Sequence, residues 1–127
     1  MGRTQNATED TAEAEQDSHP VDVETMRACT HRLLAEDGPV PDAEELDTLT
    51  LQLRGHIMLL IPEVEETAAR LPKDDIPRYC ALACTGEARG KLSARPQPGH
   101  ATELAHARRL ARVVNALVDH HENLDAG

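Results

Sequence analysis

The stretch "DAEELDTLTLQLRGHIMLLIPEVEETAARL", residues 42–71, decides the fold class. Leu46, Leu49, Leu53, Ile57, Leu60, Ile61, Val64, Ala68 and Leu71 recur at spacings of three and four, with His56 on the same stripe. That recurrence marks one face of an α-helix, whose turn takes about 3.6 residues. Asp42 stands at the N-cap position, and Glu45 three residues later completes a capping box. Pro62 falls inside the run without shifting its phase. The reading is therefore one long helix kinked near residues 58–62, because proline removes a backbone donor and crowds the preceding turn.

The same period extends to both sides. A shorter helix is expected from Asp22 to Glu36, with Val23, Met26, Cys29 or Thr30, Leu33 and Leu34 inward. "DGPVP" at 37–41 ends it, and Gly38 suits a left-handed cap. A third helix starts near Asp75 with Pro77 in its first turn, where the missing N–H costs nothing. Ile76, Cys80, Ala83, Cys84, Glu87 or Ala88, and Leu92 are its expected inner face. "SARPQPG" at 93–99 breaks the chain before a last helix over about 100–123. Leu104, Ala107, Leu110, Ala111, Val114, Leu117, Val118 and His121 form its stripe. Short connections make successive helices antiparallel neighbours, so the expected architecture is an all-α, up-down antiparallel four-helix bundle. Residues 1–20 are polar and acidic, without anchoring aliphatics, and are expected to form a disordered tail ahead of one domain over 21–127.

Composition narrows the class further. The chain has 127 residues, enough for one domain, and contains no Phe, no Trp and a single Tyr, Tyr79. Its core must therefore be aliphatic, which suits closely spaced helices. The formal net charge is -10, and most of the acids precede residue 76. Such a balance argues against nucleic acid and against an anionic membrane surface, both of which need a cationic face. The longest apolar run, "HIMLLIP" at 56–62, is far too short to cross a membrane. Three cysteines, Cys29, Cys80 and Cys84, form no disulfide framework, and the N-terminus lacks the apolar core of a secretory signal. A cytoplasmic protein with reduced thiols is expected.

Three segments carry a resemblance: "LRGHIMLLIPEVEETAARLP", "CALACTGEARGKL" and "HARRLARVVNALVDHHENL". Over roughly residues 46–124 the sequence resembles a family of small actinobacterial helical proteins classed as a domain of unknown function. The resemblance implies an accessory role in natural-product biosynthesis. It brings no reaction and no catalytic residues with it.

Candidate chemistry can be weighed residue by residue. Cys80 and Cys84 share a helical face, but zinc wants two more ligands, and cysteine is among the most commonly buried residues. Packing is the expected role, and no metal is assigned. In "CALACTGEARG" the small residues suggest a close helix approach, with Gly86 and Gly90 on one face and Gly90 near Gly55 of the second helix. Glu103 and His106 make one E-x-x-H, whereas a di-iron bundle needs two such motifs and two further glutamates. Arg54, His56, Glu87, Arg89 and Arg108 stand on or beside apolar stripes. A structural layer joining Arg54 or Arg108 to Glu87 is the favoured reading, against a polar cleft around His56 and Glu87.

The last feature is charge. From residue 76 to 112 there are Arg78, Arg89, Lys91, Arg95, Arg108, Arg109 and Arg112 against Glu87 and Glu103 alone. Clusters at 89–95 and 108–112 flank one loop, which points to a docking surface for an acidic partner or anionic group. The sequence therefore predicts a non-catalytic accessory protein that binds a partner protein or a small-molecule metabolite. Arg54, His56, Glu87, Arg89, Arg108, Arg109 and Arg112 are the candidate binding residues. No catalytic residue, cofactor, nucleic-acid partner or membrane association is expected, and a homodimer stays open. The alternative is a small helical enzyme or metal-binding protein using the cleft near His56 and Glu87.

Overall fold

The computed structural model describes residues 21–126, and the expected tail lies outside them. Four helices follow one another: α1 Val23–Leu34, α2 Ala43–Ala69, α3 Ile76–Ser93 and α4 His100–Ala126. There is no strand among the described residues. Three aspartates open three of the helices. Asp22 accepts from the Thr25 N–H, Asp42 from Glu45 and Asp75 from Arg78, at 3.1, 2.8 and 3.0 Å. Each satisfies one of the amide donors that a helix N-terminus leaves without an internal partner.

The second half of the expected capping box does not form. The Glu45 carboxylate turns away from Asp42 and takes a two-pronged contact from Arg32 of α1, at 2.8 and 2.6 Å. A charge-assisted fork of this kind outcompetes a single bond to a backbone amide. Gly38 is a second correction: Gly99 alone among the described glycines has a positive φ. Ala35, in extended conformation, closes α1 instead. Arg108 reaches the Leu33 carbonyl at 3.1 Å, so that helix-end acceptor is satisfied without a left-handed residue, and Arg32 holds the following loop at the Pro39 carbonyl, 2.8 Å away.

Helix α2 runs unbroken through Pro62. Proline deprives the Met58 carbonyl of its intrahelical donor, but both residues face solvent, where water can take its place. Leu53, Ile57, Leu60 and Val64 of α2 meet Leu110, Val114, Leu117 and Val118 of α4, all fully buried. These two helices form the close diagonal of a flattened bundle. Helix α1 packs mainly on α4 and α3 mainly on α2, on opposite flanks, and the two have no contact with each other. No Phe, Tyr or Trp ring enters the core. Between α1 and α4, the buried Thr30 hydroxyl donates to Asn115 Oδ1 at 2.8 Å, and Arg27 spans Asn115, Asp119 and Glu122.

Candidate functional site

Helix α3 is rotated relative to its sequence reading. Its buried residues are Ala81, Thr85 and Ala88, with Leu82, Cys84 and Leu92 partly covered. Ile76 and Tyr79 are each 74 % exposed, and Cys80, Ala83 and Glu87 also face solvent. The cause lies in the flank toward α2. Arg78 donates to the Leu71 carbonyl at 3.0 Å, Arg89 makes a two-pronged pair with Glu65, and Arg54 donates to the Leu92 carbonyl at 3.0 Å. Residues 78, 81, 85, 89 and 92 share one face at helical spacing, so these anchors turn the small residues inward. The larger apolar side chains are left outside.

That orientation overturns three expectations. Cys80 is no core residue, although Cys84 is half-buried and Cys29 buried. The layer from Arg54 or Arg108 to Glu87 does not form, because both arginines close helix C-termini and Glu87 is exposed. The glycines mark no close approach either: a Cβ added at Gly55, Gly86 or Gly90 would meet nothing within 4 Å.

The exposed flank of α3 leads into a groove against α4 of about 230 Å³. Cys84, Val113 and Ala116 give it an apolar floor, and Glu87, Lys91, Arg109 and Arg112 line it. Lys91, Arg109 and Arg112 have no ion pair or hydrogen bond among the described residues. Three cations thus converge without a partner in a protein of net charge -10. Burial, together with the Glu87 carboxylate, pushes the Cys84 thiol above its ordinary value, so it stays protonated at neutral pH. Among the described residues no three His, Cys, Asp or Glu side chains are grouped so as to hold a metal ion.

The other candidate residues separate. His56 lies beside Asp22 at the start of α1, whereas Glu87 lines the α3–α4 groove, so the two do not share a cleft. Arg89 is occupied by Glu65 and Arg108 by the end of α1. Arg109 and Arg112 are brought together, and Lys91 joins them. The sequence reading counted Lys91 in the basic run without assigning it to the site. Its only signal was register: antiparallel α3 and α4 set residue 91 opposite 109.

The chain belongs to a family of unknown function, DUF6415, whose model matches residues 24–126. No curated protein matches it, and no solved structure does. No helix among the described residues is long and apolar enough to cross a membrane.

Proposed function

We propose that this protein is a non-catalytic accessory protein that captures an acidic amphipathic segment of a partner protein on the α3–α4 face. One observation carries the reading: an exposed apolar half, Ile76, Tyr79, Cys80 and Ala83, runs on into the unpaired cations Lys91, Arg109 and Arg112. A partner helix with apolar residues toward Ile76 and Tyr79 and acids toward the arginines would match both halves. A second copy docked symmetrically through this face would set its cations against cations or against the apolar half, and supply no acid to them, which favours a different chain as the occupant. The resemblance of the sequence supports a place in natural-product biosynthesis in an actinobacterial cytoplasm.

The test uses a labelled amphipathic acidic peptide and a pull-down from the source cytoplasm, each at low and high salt. Arg109→Glu combined with Arg112→Glu should fold normally by circular dichroism and lose both captures. Wild-type capture should weaken as salt rises, since exposed charges are screened. A folded double variant that binds as well as wild type would reduce the basic face to solvated surface.

A further inference from the structure

A second cavity lies on another face, between the N-terminal half of α2, the α3–α4 loop and the start of α4. Its volume is about 460 Å³, within the range of roughly 300–1,000 Å³ in which small molecules bind. Asp47, Thr50, Leu51 and Arg54 line it from α2, Ala94, Arg95 and Pro96 from the loop, and Glu103 and His106 from α4. Its polar groups are distributed in a way that packing alone does not explain.

His106 is 7 % exposed, yet its imidazole makes no hydrogen bond among the described residues. Its ring nitrogens are not sealed in the core but reach the cavity, where water or a ligand can meet them. Arg54 lines the cavity from α2, with one guanidinium nitrogen fixed on the Leu92 carbonyl at 3.0 Å. That contact orients the fork and leaves its other donors available. Arg95 has no ion pair among the described residues. Leu51, 72 % exposed, shares the lining with Pro96 and Ala94, an apolar border with no described residue upon it. Glu103 is turned to the Gly99 N–H at 3.3 Å, so it caps its own helix rather than answering His106.

We infer that this cavity binds a small organic monocarboxylate, its carboxylate held by Arg54 and His106 and its apolar body lying between Leu51 and Pro96. The net charge of the lining selects the class. Arg54 and Arg95 are offset by Asp47 and Glu103, so a polyanion such as a phosphate ester gains little, whereas one carboxylate matches the Arg54 fork. The site is separate from the α3–α4 face and does not depend on the partner reading.

Proton linkage follows from the surroundings of His106. Burial, then Arg109, Arg54 and Lys91, hold its imidazole below the ordinary histidine value. A bound carboxylate opposes those charges and favours the protonated ring, so binding takes up a proton and tightens as pH falls toward 6. Asp47 and Glu103 also face the cavity.

Octanoate is a suitable probe, with octanamide as its neutral counterpart and inorganic phosphate as a head group without a body. Titrated into the full chain, octanoate should shift the His106 ring signals in proton NMR saturably, and octanamide and phosphate should not. His106→Gln and Arg54→Gln should each weaken octanoate by about tenfold or more, the worth of a charge-assisted hydrogen bond. Leu51→Glu, at an exposed position that leaves the core untouched, should abolish binding and guards against variants that fail to fold. Absence of a saturable His106 shift in the wild type would overturn the assignment. Equal binding of octanamide, or octanoate binding that survives Leu51→Glu, would do the same.

Discussion

Arg108 of α4 donates from Nε to the backbone carbonyl of Leu33, 3.1 Å away, in the last turn of α1. The last carbonyls of a helix have no internal donor and carry the negative end of its dipole, so a guanidinium there satisfies both needs. Arg54 does the same for α3 at Leu92, and Arg78 for the chain leaving α2 at Leu71. Three of the four helices are thus closed by an arginine from another helix, and local closure gives way to tertiary closure.

Arg108→Met keeps the aliphatic stem and removes the donor. It should cost about 1 kcal/mol in urea unfolding, the usual worth of a hydrogen bond to a partly exposed charged group. Arg109→Met, next in sequence but without a partner, should stay within about 0.5 kcal/mol of wild type. Equal effects would mean that the Leu33 contact contributes nothing.

Gly86 and Gly90 offer the opposite case. Both are exposed within α3, and a Cβ at either meets nothing. Gly86→Ala and Gly90→Ala should each raise stability by about 0.5–1 kcal/mol, since glycine has more backbone freedom to lose in a helix. Gly99, at a φ of 128°, should respond with the reverse sign, because that conformation strains any residue bearing a Cβ. Thermal melts of the three variants decide it.

The contrast between α2 and α3 shows what a single sequence holds. Leu46, Leu49, Leu53 and Val64 stand among polar neighbours, so the buried face of α2 is plain, and Asp22, Asp42 and Asp75 mark helix starts that the structure reproduces. In α3 half of the 18 residues are Ala, Gly, Cys, Ser or Thr, and the contrast that periodicity needs is weak. Its rotation is set by Arg78 on Leu71, Arg89 on Glu65 and Arg54 on Leu92, contacts between helices that no local pattern contains. The cavity was hidden for the same reason. In the sequence His106 suggests only metal chemistry, as part of an isolated E-x-x-H or as a zinc ligand beside Cys80 and Cys84, while Arg54, the group that gives it meaning, belongs to another helix.

Acidification should act through the histidines whose protonation burial opposes. Burial lowers both His56 and His106, opposed at His56 by Asp22 and reinforced at His106 by Arg109, Arg54 and Lys91. Their folded values lie below the unfolded value of about 6.5, so the unfolded chain binds protons first. The associated stability is present above that value and is lost as pH falls through it toward the folded values. Relief of the net negative charge acts the other way, so the measured quantity is the difference between chains. From about pH 7.5 to 5.5, with carboxylates still ionised, His106→Gln should lose less stability than wild type, or gain more. Parallel urea midpoints for the two chains would contradict this.

The rotation of α3 makes the sharpest demand. Ile76 contributes to the core only if the sequence reading of the inner face holds; in the structure it and its neighbour Tyr79 both lie mostly in solvent. Ile76→Gln combined with Tyr79→Gln should therefore leave urea stability within about 0.5 kcal/mol of wild type. Ala88→Gln, at a fully buried position against α2, should cost about 2 kcal/mol or more through overpacking and an unsatisfied amide. The two substitutions should also separate in function. The exposed pair should weaken capture of the acidic amphipathic peptide without unfolding the protein, because its apolar half loses its seat while Lys91, Arg109 and Arg112 remain. A double variant that loses stability only at high protein concentration would mean that a second copy covers this face. Unchanged peptide capture by a stable double variant would confine the docking surface to the three cations.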